Sequence, residues 1–204
     1  MKNNLTVKRI RPVVLIHGLW NDSEIFKQVL IKLDEYKAEY FAPTLKHNFG
    51  MISIVDLAES LDKEIINHYG PQKEIDIVGF SMGGIIGRYW IKKFEGFKRT
   101  KRLISIGSPH NGTLTAQFVP NYPFKGISEM KINSRFLKKL SLENNLLEEI
   151  ECISFFTKWD LMVIPGWRAY LPKGRKIPLN VFKHKNLVRN RLAVNEIIKQ
   201  IINQ

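Results

Sequence analysis

The chain has 204 residues, 44% of them apolar, and its 32 Lys/Arg against 19 Asp/Glu give a formal charge of +13. A chain of this length buries about 70% of its unfolded surface without staples, and the lone Cys152 excludes an intrachain disulfide. No run approaches eighteen consecutive apolar residues, which excludes a transmembrane helix within this sequence.

In chain order, the short continuous apolar run Val13–Ile16, ending at His17-Gly18, reads as a buried parallel strand. Residues 22–36 read as a helix, with Asp22 or Ser23 as N-cap and Ile25, Phe26, Val29, Leu30 and Leu33 on one stripe. Residues 39–42 form a weak strand before Pro43. Residues 53–69 form a helix stopped by Gly70-Pro71. A strand over 75–79, a helix over 82–94 and a strand over 103–106 follow. Residues 113–148 break this rhythm: two prolines and three aromatics in 118–124 exclude a central strand, and apolar residues then recur at roughly helical spacing. The stretch is either a lid or cap over a site or an ordinary packing pair of helices. A strand over 152–156, a last strand over 177–182 and a final helix from 191 to 202 complete the chain. Alternating strands and helices predict βαβ units and a parallel sheet in one domain spanning 1–204.

The chemistry concentrates at Gly79-Phe80-Ser81-Met82-Gly83. This G-x-S-x-G sits between a β-branched apolar run and a helix, the context of a nucleophile elbow. The turn forces the serine into a strained conformation, and the amides of the helix start point at any oxyanion formed beside it.

These residues, with Arg88-Tyr89 beyond them, resemble the serine lipases and esterases of the α/β-hydrolase superfamily. Pro12-Val-Val-Leu-Ile-His-Gly18 resembles their His-Gly oxyanion strand end, and Ser108-Pro-His-Asn-Gly-Thr113 resembles a loop after their next strand. The resemblance covers 12–113 in register and extends more weakly to His184. It implies a minimal α/β-hydrolase fold, a roughly six-stranded, mainly parallel sheet with helices on both faces and without the two leading antiparallel strands. It also implies a Ser–acid–His chain order. Two histidines follow Ser81. His110 would need Glu95, near the end of the elbow helix, as its acid, so His184 inherits the base. Asp160, the only aspartate after Ser81, follows the strand at 152–156 and is the expected acid. The six glutamates of that interval (Glu95, Glu129, Glu143, Glu148, Glu149 and Glu151) read as solvated charges. The family often has Gly where this chain has Lys183, directly before His184. By resemblance the oxyanion donors are the amides of Leu19 and Met82, His17 makes a polar contact, and His110 is structural. His47 and His68 read as surface residues.

Expected function is carboxylic ester hydrolysis through an acyl-enzyme. Thioester cleavage or acyl transfer with the same triad is the alternative, and a non-catalytic lipid- or protein-binding module the more distant one. Trp20, Phe80, Trp159 and Trp167 are candidates for an apolar substrate pocket. No metal-ligand spacing or nucleotide fingerprint occurs, so no cofactor is expected. Cys152, within an apolar run, reads as an inert core residue. Nucleic acid is not expected either, because the basic residues are spread out and no binding signature accompanies them. Between 158 and 191 nine Lys/Arg face one acid, Asp160, which suggests a basic rim toward an anionic membrane. A basic compositional habit would give the same count. Lys2, Lys8, Arg9 and Arg11 precede no apolar stretch of signal-peptide length, so a cytoplasmic location is expected.

Overall fold

A computed structural model describes residues 10–142 and 144–203. Lys2, Lys8, Arg9 and Glu143, noted above, lie outside these residues. The strands are β1 (Val13–Ile16), β2 (Tyr40–Phe41), β3 (Ile75–Phe80), β4 (Thr100–Ile106), β5 (Glu151–Phe156) and β6 (Arg175–Pro178), all paired in parallel in the order β2-β1-β3-β4-β5-β6. β1 and β3 are buried along their whole length, as continuous apolar runs demand when helices cover both faces.

The two-residue period of the strands sorts their side chains into two cores. Val14, Ile16, Ile75, Ile77 and Leu103 pack with α2 (Ile54–Tyr69) and α3 (Met82–Lys93). Val13, Leu15, Val78, Phe80, Ile104 and Ile106 pack with α1 (Lys27–Glu35) on the other face, together with the last helix. Local chemistry starts the helices where the sequence predicts. Asp22 caps the 3-10 turn Ser23–Phe26 that leads into α1, Ser53 accepts from the Asp56 N–H at 3.1 Å, and Gly70 at φ 72° ends α2.

Residues 113–148 fold as α4 (Leu114–Gln117), α5 (Lys125–Glu129), α6 (Arg135–Leu142) and a 3-10 turn, Asn144–Leu147. Leu137, Leu140 and Leu147 join the core of the α3 face. Two short helices close the described chain, α7 (Asn186–Arg189) and the capped α8 (Arg191–Ile202).

Two expectations change. The last strand lies at Arg175–Pro178 rather than 177–182, because its register is set by β5, where Ile153 pairs with Arg175. Beyond Leu179 the chain turns away to meet Thr157, whose hydroxyl donates to the Val181 carbonyl at 2.6 Å. Glu129 is not a solvated charge: its carboxylate accepts the Ile54 N–H at 2.6 Å and caps α2 from 75 residues away.

At the amino edge of the sheet, buried charges tie strands together. Asp76 is fully buried, bonded by Arg11 at 3.0 Å and faced by Arg102 at 4.0 Å. Burial raises its carboxyl above the ordinary value, and the two guanidinium groups oppose that. Arg102, also buried, donates to Glu151 at 2.7 Å and to the carbonyls of Gln200, Ile201 and Asn203 at the end of α8. Those are carbonyls that a helix cannot satisfy by itself. No helix among the described residues is long and apolar enough to cross a membrane. Arg102→Met is expected to destabilise the fold by about 3 kcal/mol, because it removes a cation beside the buried Asp76 and uncaps α8. The shift of the urea midpoint measures it.

Candidate active site

β3 passes into α3 with Ser81 as the only residue between them. Ser81 has φ 55° and ψ −127°, strained for a residue with a side chain, at a cost of about 1–3 kcal/mol. Close packing holds it there. A Cβ on Gly79 would strike the Gly84 backbone, and one on Gly83 would strike the Ile16 carbonyl. The Ser81 N–H donates to the Ile106 carbonyl at 2.9 Å, and its own carbonyl accepts from Gly84 at 3.1 Å. Met82, the first residue of α3, carries one of the amides that a helix start leaves without an internal partner.

The loops after β5 and β6 bring Asp160 and His184 together. The His184 Nδ1–H donates to Asp160 Oδ2 at 2.7 Å, and both side chains are buried. The other oxygen of Asp160 accepts the Met162 and Val163 amides at 2.8 and 2.9 Å, which fixes the carboxylate plane. The His184 ring lies 4.8 Å from Phe80, and Nε2 has no partner among the described residues. Lys183 has φ 72°, so the position where glycine is frequent in the resembling family keeps a left-handed backbone here despite its side chain.

On the β1 side, the buried His17 works as a staple. Its Nδ1–H donates to the Gly18 carbonyl at 3.0 Å and its Nε2 accepts the Leu45 N–H at 2.8 Å, so both ring nitrogens are occupied. The Asn21 amide donates to the Leu19 carbonyl at 2.6 Å, holding the turn in which Trp20 has φ 58°. His68 is exposed as expected, but His47 is half-buried, its ring centre 5.9 Å from that of His17 in an edge-to-face arrangement. His110 is buried beneath the β4 loop, 2.7 Å from the Ser105 hydroxyl. Burial, reinforced by the Arg88 charge, pushes His110 well below the ordinary histidine value, and burial also lowers His17. Cys152 is buried and its thiol is pushed up to about 11 by desolvation, which fits the inert reading.

A cleft of about 160 Å3 opens over these groups, and Ser81 and His184 both line it. Leu19, Trp20 and Asn21 line it from the β1 loop, and Ala116, Val119, Ile127 and Met130 add apolar lining from the stretch after β4. The 113–148 stretch therefore packs into the core and lines the cleft at once. Of the aromatic candidates only Trp20 reaches the cleft. Phe80 is wholly buried under the imidazole, and Trp159 and Trp167 are exposed outside it, Trp167 beneath the Arg168 guanidinium. Sequence reading missed Thr113, Thr115, Met162 and Val163 as lining residues. Their signal was position alone, since they follow Ser108-Pro-His-Asn-Gly and Asp160 directly.

Two outcomes test this arrangement. A histidine lowered in the fold leaves the unfolded chain binding more protons below pH about 6.5, so stability falls as pH drops through that value. Each of His17 and His110 contributes a slope of up to about 1.4 kcal/mol per pH unit. The difference between His110→Gln and the wild type in urea unfolding, from about pH 5 to pH 8, isolates the His110 share as a flatter profile. At position 183, Lys183→Gly is expected to leave stability within about 1 kcal/mol of the wild type, because relief of strain offsets lost backbone entropy. Lys183→Val is expected to lower the melting temperature, because β-branching crowds a left-handed backbone further than the lysine does.

No curated protein matches the sequence. Among solved structures, mature Bacillus licheniformis lipase BlEst2 superposes with a TM-score of 0.76 at 13% identity, over 95% of this chain and 93% of that one. Aspergillus fumigatus lipase B gives 0.75 at 17% identity over 91% of this chain, which spans only 51% of that protein. A lipase-esterase related protein from Clostridium acetobutylicum gives 0.64 at 15% identity, over 96% of each chain. At these identities the likeness concerns the fold. The sequence itself matches the family described as palmitoyl protein thioesterase over residues 12–159, and with that match the chain belongs to the palmitoyl protein thioesterase family, on an α/β-hydrolase fold.

Proposed function

We propose that the protein is a serine hydrolase that cleaves carboxylic esters through an acyl-enzyme, with Ser81 as nucleophile, His184 as base and Asp160 as its orienting acid. The observation that carries this reading is the Asp160–His184 bond of 2.7 Å, behind an imidazole whose Nε2 has no partner and which shares a cleft with Ser81. A serine hydroxyl needs such an imidazole to lose its proton on attack. With Nδ1–H committed to Asp160, Nε2 is the basic nitrogen, and the carboxylate stabilises the imidazolium that forms. The amides of Leu19 and Met82 are the proposed donors to the tetrahedral oxyanion. The imidazolium then protonates the leaving group, and on the second half-reaction His184 activates the water that releases the acid.

The apolar lining suits the acyl side of a substrate. An engineered cavity of about 150 Å3 holds one benzene, so the enclosed part of this cleft takes on the order of six carbons, and a longer chain lies along its mouth. Membership of the thioesterase family favours thioesters as a second substrate type, since the same attack on a thioester expels a thiolate instead of an alkoxide. Ser81→Ala is expected to lower kcat by several orders of magnitude on both ester and thioester substrates and to abolish labelling by a fluorophosphonate. Asp160→Asn is expected to cost on the order of 10^4 in kcat through the wrong imidazole tautomer. Unchanged hydrolysis by Ser81→Ala on a graded panel of esters and thioesters overturns the reading.

A further inference from the structure

The surface around the cleft mouth combines two features. Trp20, Leu114, Phe118, Tyr122, Trp159 and Phe182 are all exposed, Phe118 by 88% and Tyr122 by 90%. Single exposed apolar side chains are ordinary, but these six belong to segments that leave the carboxyl ends of β1, β4, β5 and β6, and so share one edge of the sheet. Phe118 and Tyr122 lie in the connection between Ala116 and Ile127, both of which line the cleft. The segments are stitched to one another. The Thr113 and Thr115 hydroxyls donate to the Met162 carbonyl at 2.8 and 2.6 Å, and the Leu114 N–H donates to Ile164 at 3.1 Å.

The second feature is charge. Of the nine cations between 158 and 191, Lys173, Arg175 and Lys176 go to the opposite edge, because β6 starts at Arg175. Lys158, Arg168, Lys183, Lys185, Arg189 and Arg191 stay with the loops and helix starts of the carboxyl edge. Acids at this edge are fewer: Asp160 is buried against His184 and Glu129 accepts the Ile54 N–H, which leaves the exposed Asp22, Glu24 and Asp56 against these six cations.

We infer that this edge docks on a membrane leaflet carrying anionic lipid, its aromatic side chains seated at headgroup level and its cations against lipid phosphates. Duplex nucleic acid would use the cations alone, and an apolar protein groove the aromatics alone; an anionic bilayer uses both. The inference does not rest on the catalytic reading, since Ser81→Ala keeps the same surface.

The test is flotation of the wild type and of Ser81→Ala with vesicles of phosphatidylcholine, with or without phosphatidylglycerol. Both proteins are expected to prefer the anionic vesicles by at least about tenfold at low salt and to lose that preference at high salt. The pairs Lys158→Glu/Arg189→Glu and Phe118→Ser/Tyr122→Ser are each expected to weaken binding about tenfold. Lys173→Glu/Lys176→Glu, on the far edge, is expected to stay within about twofold of the wild type. Circular-dichroism melts verify that each pair folds. Equal binding to neutral vesicles, no vesicle binding, an equal loss from the far-edge pair, or indifference to the aromatic pair overturns the inference. RNA binding that survives the aromatic changes, in place of vesicle binding, overturns it in favour of a nucleic-acid partner.

Discussion

Gly83, in the first turn of α3, lies so close to the Ile16 carbonyl that no side chain fits between them. That backbone-on-backbone contact sets the geometry of the whole carboxyl edge. It brings the start of α3, the loop after β1 and the strained Ser81 into one small volume, with Gly18 packed against the Ser81 side chain. The strain at Ser81, about 1–3 kcal/mol, is small beside the anchorage of α3. Ile85, Ile86, Trp90 and Ile91 are almost completely buried, and each is worth about 1.5–3 kcal/mol or more. The helix cannot back away to relax the serine without surrendering that burial.

The parallel sheet then does the work of assembly. Ser81, Asp160 and His184 are far apart in the chain, yet each follows the carboxyl end of a strand, and in an open parallel sheet those ends form one crevice. Their placement is fixed by neighbours more than by their own loops. Phe80 underlies the imidazole, Asp160 is held by two amides, and Thr157 ties the end of β5 to the approach of His184 through the Val181 carbonyl. Gly107 at φ 57° leaves room for the ring, because a Cβ there would sit 3.0 Å from His184 Cε1. The left-handed Lys183 follows from the same constraint, since the chain must reverse immediately before the ring.

What was legible in the sequence was local or periodic. The elbow, the buried strands, the cap at Asp22 and the bounds of α8 all follow from patterns within a few residues. What was not legible depends on partners distant in the chain. The start of β6 is set by its register against β5, and Glu129 finds the α2 amide from 75 residues away. Trp159 and Trp167 have the composition of pocket residues, but the loops that carry them face outward. The cleft wall from α4 and α5 has ordinary apolar residues whose role exists only once the loop after β4 folds against the loop after β5. Asp160 and His184 stood out only because elimination within a fixed chain order left few rivals; their hydrogen bond is a tertiary fact.

The two edges of the sheet handle charge in opposite ways. At the amino edge Arg11, Asp76, Arg102, Glu151 and Arg175 form a chain of pairs, buried at its centre, that locks four strands and the last helix. Removing Arg102 leaves Asp76 buried with one fewer cation beside it, so the centre of that edge tolerates little change. At the carboxyl edge the cations lie outside the cleft or at its mouth, and the one deeply buried acid, Asp160, is bound to His184. Cations in water near a surface are screened within about 8 Å at physiological salt. They therefore disturb the cleft's apolar interior little while still acting on whatever approaches from outside. Arg11, Arg102 and Arg175 are thus structural on one side of the sheet, while Lys158, Lys183, Lys185, Arg189 and Arg191 are exposed on the other. That division, more than the total, is why a strongly basic chain can keep a largely apolar cleft.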